Sequence, residues 1–364
     1  MTGEPNTGDG DRASTDGGTR AGGGTNMDAA TSAPPATSPK RRSGPGHIWI
    51  DDRLVSADVP HLSAFDRGFQ LGDGVFETLR ARAGRVTELD AHLARLHRSA
   101  DGLEIELPTD VDDRIATGID ALLAAEGLSV SEADASVRIT VSRGAYLTRG
   151  VLPVGERVPA TVVVQAWPVV EAPASHLERG LRLVTSRVRR DPQDPLASLK
   201  TTSRAEYVYA RLEARRAGAD DAVFLTIDGH LSESTSANLF LIRRSNVDGE
   251  PGEEGSDGDA EPAGDGDLEL ATPSLDCAIL PGTTRSWLLD WAGSVSLRPI
   301  ETQLVAADLS DAREAFLSSS VAGILPVTSF DGQAIGDGLP GPWTRRARAD
   351  REAMIRDPGP VSSP

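Results

Sequence analysis

The sequence predicts an α/β protein with mixed, α+β-type sheets divided between two domains, and three observations carry that prediction. A chain of 364 residues can bury one large core or two medium ones. Short β-branched and aromatic runs alternate with segments whose apolar residues recur at spacings of three and four, so strands and helices are interleaved. No period of 20 to 50 residues repeats, which removes solenoids and propellers.

Residues 1–45 are Gly, Thr, Ser, Ala, Pro and Asp with almost no large apolar side chains, too little to offset the entropy of ordering, so a disordered tail is expected there. Folded texture begins at His47-Ile-Trp-Ile, with Asp51-Asp52 turning a hairpin. Gly72-Asp73-Gly74 precedes a strand pair turned at Gly84. Leu89, Leu93, Leu96, Ala100 and Leu103 form the apolar stripe of one helix, with His92, Arg95 and Ser99 beside it. A second helix is expected from about Val111 to Glu126, and strands at Ser136–Val141 and Ala160–Trp167. The Pro and Val pattern over Ala166–Glu171 reads as an interdomain connector. Beyond it come a strand near Leu181–Ser186, a helix from about Ser203 to Arg216 ended by Gly218, and a hairpin over Ala222–Arg243 turning at Asp228-Gly229. A helix from near Thr284 and strands near Arg298–Glu301 and Ala315–Leu317 follow. The expected domains are therefore residues 46–168 and 169–355, the second interrupted by a disordered acidic insertion at about 245–268, with a disordered terminus at 356–364.

The net charge of −18 argues against nucleic-acid binding, which needs a basic face to displace counterions. Ten carboxylates and no basic residue lie between Asp248 and Glu269, the pattern of a solvated surface loop. No apolar run suits a membrane span, and the tail lacks the charged and apolar regions of a signal peptide, so no membrane association is expected and the cytoplasm is the default location. One cysteine, Cys277, rules out an intrachain disulfide. Of the 37 basic residues only Lys40 and Lys200 are lysine, and acidic surface with so little lysine is the pattern of a salt-adapted organism with a GC-rich genome. Full activity and a high melting temperature in salt-free buffer would count against salt adaptation.

Lys40 falls in the tail, which leaves Lys200 as the one lysine of the folded part. It stands in Leu-Ala-Ser-Leu-Lys-Thr-Thr-Ser-Arg between an apolar run and a helix start, a junction from which an amine nucleophile can project into a cleft. A surface lysine is the plainer reading of any single lysine, but a chain that writes nearly every other cation as Arg weakens it here. Glu233, leading into the apolar strand Leu239-Phe240-Leu241-Ile242, is a carboxylate that needs a partner or else caps a turn. Leu280-Pro-Gly-Thr283-Thr284-Arg285 opens a helix whose hydroxyls and N–H groups suit an anion, or simply cap the helix. Arg95 is a candidate cation for the same anion, and Ser318-Ser319-Ser320 a further hydroxyl group. No metal is expected.

In order and spacing these blocks resemble the fold type IV enzymes of pyridoxal 5'-phosphate (PLP), also called class IV aminotransferases, over about His47 to Pro342. Asp66-Arg67-Gly68-Phe69, Gly72-Asp73-Gly74-Val75-Phe76-Glu77-Thr78, His92-Leu-Ala-Arg95-Leu96, Lys200, Asp228-Gly229 with Glu233 and Asn238-Leu239-Phe240, Leu280 to Arg285, and Pro326-Val327 carry the resemblance. It implies two α/β domains with the cofactor between them and a homodimer. It gives Lys200 the Schiff base and the proton transfer, Glu233 the pyridine nitrogen, and Arg95, Thr283, Thr284 and Ser320 the phosphate. Branched-chain members carry an Asn-Tyr pair after the lysine; this chain has Thr201-Thr202-Ser203-Arg204-Ala205-Glu206. Arg204 and Glu206, with Val141-Ser142-Arg143-Gly144 and Arg149-Gly150, look closer to aminodeoxychorismate lyase, which acts on a small-molecule amino substrate. Arg143 or Arg149 is then a candidate for a substrate carboxylate, with a structural ion pair nearly as good a reading. Three alternatives stay open: the lyase, a transaminase of branched-chain or D-amino acids using 2-oxoglutarate, and a non-catalytic acidic interaction protein.

Overall fold

A computed structural model describes residues 44–245 and 268–357. Except at their edges, the tail, the acidic insertion and the C-terminal segment expected to be disordered lie outside the described residues.

The first sheet is built from β1 (His47–Ile50), β2 (Arg53–Ser56), β3 (Gly74–Arg82), β4 (Arg85–Val86), β5 (Asp134–Ser142) and β6 (Thr161–Pro168). Its order is β2-β1-β6-β5-β3-β4, and its pairs are antiparallel. Asp51 and Asp52 turn the first hairpin with φ of 44° and 66°, the left-handed region that Asp tolerates better than most residues. β3 and β5 pair from Gly74–Ser142 to Arg82–Asp134. A short helix α1 (Arg67–Leu71) precedes β3, and α2 (Leu89–Gly102) and α3 (Val111–Ala125) lie between β4 and β5. Asp66 caps α1 through Gly68 N–H and also accepts from the hydroxyls of Ser142 and Thr161, which fixes the start of this motif on the sheet. α2 and α3 bury Leu93, Leu96, Ile115, Ile119 and Leu122 against Leu79, Val137, Ile139, Val162 and Val164. At Gly118 a Cβ would lie 2.5 Å from the Trp49 ring, so the helix–sheet approach there depends on glycine.

The second sheet holds β7 (Leu181–Arg190), β8 (Asp221–Thr226), β9 (Leu231–Ser234), β10 (Asn238–Arg244), β11 (Leu268–Pro273), β12 (Arg298–Thr302), β13 (Glu314–Ser319), β14 (Gly323–Phe330) and β15 (Gln333–Ala334). Its order is β12-β11-β10-β13-β14-β7-β8-β9, with β15 paired to β14; β7 runs parallel to both β8 and β14. The helices here are α4 (Ala174–Arg179), α5 (Ala205–Arg216), α6 (Thr283–Ser294), α7 (Ala306–Ser310) and α8 (Pro342–Arg356). Leu288, Trp291 and Ala292 of α6 and Ala347 of α8 pack with Phe240, Ile242, Phe316 and Ile324. Leu309 of α7 packs with Leu239, Leu241, Leu317 and Val327.

Two features depart from the sequence expectations. The hairpin over Ala222–Arg243 is confined to β8 and β9, and β10 leaves it to lie between β11 and β13. β14 and α8 are not visible in the periodicity. Pro326 stands inside β14 opposite Phe316, where a proline ordinarily argues against a strand. α8 is polar on most sides; it is held instead by Glu314, which accepts from Trp343 N–H at 3.0 Å and from Thr344 N–H and Oγ1 at 2.8 Å.

Candidate active site

Lys200 lies in the segment between β7 and α5, and its backbone is sewn to the first sheet. Lys200 N–H donates to Ser99 Oγ of α2, Phe76 N–H of β3 donates to Lys200 O at 2.9 Å, and Thr202 N–H donates to Gly74 O at 2.8 Å. The glycines of Gly72-Asp73-Gly74 allow this. Gly72 has φ +69°, and a Cβ at Gly74 would stand 2.7 Å from Val141 O. The Lys200 Nζ sits 4.8 Å from the centroid of the Phe76 ring. Burial, assisted by the charges of Arg95 and Arg204, lowers its pKa to about 8, so free amine is accessible near neutral pH.

The amine opens into a cleft lined by Arg95, Arg204, Glu233, Asn238, Leu280, Gly282, Thr283, Thr284 and the serines 318 to 320. Glu233 ends up here because β9 is buried along its whole length. Its Oε2 accepts from Leu280 N–H at 3.1 Å and Asn238 Nδ2 at 3.2 Å, while Oε1 has no hydrogen-bond partner among the described residues. Burial pushes the Glu233 carboxyl up, against the opposing pull of Arg190, Arg204 and Lys200. Such a carboxylate is suited to receive a cation.

Gly282 precedes α6, and Thr283 and Thr284 occupy its first turn, whose N–H groups have no partner within the helix. A Cβ at Gly282 would run into Asn238 Oδ1, so the helix start is packed directly on the strand that follows Glu233. Thr283 Oγ1 lies 3.2 Å from Ser320 Oγ, and the buried Ser318 Oγ has no partner among the described residues. Hydroxyls, unpaired N–H groups and a helix dipole converge on one end of the cleft, an arrangement that suits phosphate.

Arg95 reaches the same cleft, but its guanidinium fork is occupied. Nε and Nη2 donate to Glu77 at 2.7 Å each, and Nη1 donates to Pro281 O at 3.0 Å. His92 completes the cluster with Nδ1 2.7 Å from Glu77 and Nε2 3.3 Å from Thr283 Oγ1. Arg95 therefore faces the cleft as a charge fixed by Glu77, with one N–H on each of Nη1 and Nη2 left over from these bonds.

Arg143 and Arg149 do not join this group. Arg143 pairs with Asp73 at 2.8 Å and caps the carbonyls of Leu103 and Glu104, which makes it the structural ion pair of the two readings. Arg149 is exposed in the loop after β5, and neither residue lines the cleft. Four residues near the cleft have no role assigned from the sequence, although Phe76 and Asn238 stand in the blocks that carry the resemblance. Asn238 bridges Glu233 and Leu280 O, Phe76 underlies Lys200, Arg138 of β5 stands 3.9 Å from the Phe76 centroid, and Tyr207 lies 3.1 Å under the Arg204 guanidinium. Phe76 pairs with Thr140 and Arg138 with Thr78, so the two are diagonal neighbours across β3 and β5, a relation only the strand register reveals. Cys277 is buried, which raises its thiol pKa, in keeping with an inert role.

Burial opposes ionisation of Glu77, yet Arg95 and His92 hold its pKa at about 2, against 4.5 for the ordinary group. The stabilisation it supplies is complete above pH 4.5 and is lost as pH falls toward 2. Glu77→Gln, which leaves Arg95 buried without its counter-charge, is expected to cost about 3–5 kcal/mol. Urea unfolding of both proteins between pH 3 and 7 checks this; a loss under about 1 kcal/mol at pH 7 would show that the triad carries little stability.

Residues 74–330 match the family model of amino-transferase class IV. Branched-chain-amino-acid aminotransferase-like protein 2 of Arabidopsis thaliana is 28% identical over 87% of this chain and 52% of its own length, so the chain spans about half of that relative. The aminodeoxychorismate lyase of Vibrio harveyi is 28% identical over 74% of this chain and 88% of its own. Among solved structures, the branched-chain aminotransferase of the thermophilic archaeon Thermoproteus uzoniensis, with norvaline, superposes with a TM-score of 0.70 at 24% identity, covering 86% of this chain and 95% of that one. With the match running from the first residue of β3 to the last of β14, the chain belongs to the amino-transferase class IV family of PLP-dependent enzymes.

Proposed function

We propose that the chain holds its PLP at Lys200 and acts as a 4-amino-4-deoxychorismate lyase, releasing pyruvate and leaving 4-aminobenzoate. The observation that carries this placement of the cofactor is the convergence of an amine of lowered pKa, a buried carboxylate and a hydroxyl-lined helix start in one cleft. These residues fit the cofactor: Lys200 its aldehyde, Glu233 its protonated ring nitrogen, and Thr283, Thr284, Ser318 and Ser320 its phosphate. The unpartnered Ser318 hydroxyl is a donor or acceptor that such a group would satisfy.

When bound, PLP supplies an electron sink for the pair left on the substrate carbon that loses its proton. Lys200 Nζ takes that proton, and its lowered pKa lets it accept and return protons near neutrality. Glu233 Oε1 keeps a proton on the ring nitrogen, held in place by Asn238 and Leu280 through Oε2. Arg95, paired with Glu77, holds the α6 end of the cleft through Pro281.

Arg204, four residues beyond Lys200 and lining the cleft, supports the lyase over a branched-chain transaminase, in which an Asn-Tyr pair is expected after the lysine. Transamination of branched-chain or D-amino acids with 2-oxoglutarate is the second reading, favoured by the aminotransferase names among the relatives. Incubating the PLP-loaded protein with aminodeoxychorismate, and separately with amino acids plus 2-oxoglutarate, separates the two. The expected product is 4-aminobenzoate; glutamate without 4-aminobenzoate would sink the lyase. Lys200→Ala is expected to abolish both the visible absorbance of bound cofactor and turnover, while Lys40→Ala changes neither. Borohydride-trappable cofactor persisting in Lys200→Ala would place the cofactor on another amine.

A further inference from the structure

The two threonines that open α6 differ in what stands behind each hydroxyl. Behind Thr284 is Arg351, whose Nη2 lies 3.4 Å from Oγ1. A guanidinium only donates, so it fixes Thr284 Oγ1 as an acceptor and leaves the Thr284 proton for the cleft. Behind Thr283 is the buried His92 of α2, whose Nε2 lies 3.3 Å from Oγ1, and an imidazole nitrogen takes either role.

The role of Nε2 is decided on the other side of the ring. Nδ1 lies 2.7 Å from Glu77 Oε2, a carboxylate whose pKa is held at about 2, so Nδ1 carries a proton. Arg95 Nη2 also approaches Nδ1, at the longer distance of 3.4 Å. Nε2 is therefore bare in neutral His92 and protonated only in the cation. Burial pushes the His92 pKa below the 6.5 of the ordinary group, against the pull of Glu77, so the neutral ring prevails near neutral pH. A bare Nε2 draws the Thr283 proton inward and leaves oxygen lone pairs facing the cleft, which repel an anion. A cationic His92 reverses the chain: Nε2–H donates to Thr283 Oγ1, and Thr283 donates to the anion. The charge of the anion, one hydroxyl away from the ring, favours that same state.

The charged groups around His92 are Glu77 from β3, Arg95 and Glu88 from α2, and Arg351 of α8, which binds Glu88 at 2.8 and 2.7 Å. Glu88 also lies beside Thr283, and the α6 side adds the hydroxyls of Thr283 and Ser320. Burial raises both carboxyls, yet Arg95 and Arg351 hold them below the usual range, so His92 is the member of this cluster left to titrate near neutrality.

We infer that His92 is a positioning residue of the phosphate site, which sets the direction of the Thr283 hydroxyl, and that an anion settles at the start of α6 together with a proton taken up by His92. This rests on the reading of the cleft as the PLP site and adds a pH dependence to it. Anion affinity falls as pH rises, because the protonated ring that favours the anion is lost.

Sulfate tests this, being a doubly charged acceptor that brings no proton of its own. Calorimetric titration of the full chain before PLP loading, near pH 6.5 in buffers of different ionisation enthalpy, counts the protons taken up per sulfate bound. About half a proton or more is expected, and Lys200, with a pKa of about 8, is already largely charged there. His92→Gln, whose amide does not titrate, is expected to lose the uptake. Sulfate binding without uptake in the parent protein overturns the proposal, whatever the variant does, and leaves the phosphate placement standing. Uptake that persists in His92→Gln overturns the assignment to this ring. Visible absorbance of the lysine-bound cofactor, read on separate PLP-loaded samples, reports the cofactor reading by itself. Cofactor absorbance with no sulfate binding overturns the proposal alone, and the absence of both overturns the cofactor reading with it.

Discussion

The cleft depends on one buried interaction, the ion pair of Glu77 with Arg95, closed by His92. Glu77 lies on β3 of the first sheet, Arg95 and His92 lie one turn apart on α2, and their remaining donors and acceptors reach Pro281 and Thr283 at the start of α6. A carboxylate with no solvent exposure is unfavourable unless its oxygens are filled, and here both are. Satisfying that single group fixes a strand, a helix face and the N-terminus of a second helix relative to one another. Arg351 repeats the device from α8, donating to Glu88 at the head of α2 and lying 3.4 Å from Thr284 Oγ1. The hydroxyl end of the cleft is thus held from two directions by ions rather than by apolar packing alone.

The elements with clean apolar period were legible in the sequence. α2 and α3 present stripes of Leu and Ile to the sheet, and β5 and β6 alternate buried and half-buried residues, so both periods register. α8 and β14 were not legible for opposite reasons. The helix carries so much charge that its face toward Phe316 and Ile324 amounts to Ala347 and a few neighbours, and the strand contains a proline whose missing N–H the sheet tolerates. α1 and α7 are single-turn helices, too short to show a period, and depend on capping by Asp66 and Asp308.

For the site, composition reached further than pattern. Lysine scarcity singled out Lys200, and the chain segments around Glu233, Thr283, Thr284 and Ser320 do converge on the same cleft. What the sequence could not show is which arginines already have partners. Arg95 and Arg143 look as available as Arg138 and Arg204 when written in a line; only the fold reveals that Glu77 and Asp73 occupy the first two. An arginine's chemistry is set by its counter-ion, and that counter-ion is usually distant in sequence: Asp73 stands 70 residues from Arg143.

The rarity of lysine has a consequence for how the protein meets aldehydes in general. Guanidinium groups stay protonated and do not form imines at neutral pH, whereas exposed ε-amines do so with sugars and other reactive carbonyls. Among the described residues only Lys200 offers such an amine, and it stands in a walled cleft. The arginine-rich exterior therefore leaves few decoy sites, and carbonyl compounds are admitted or refused by the shape of one cleft. Selectivity in capture is, on this view, written over the whole surface as well as in the pocket.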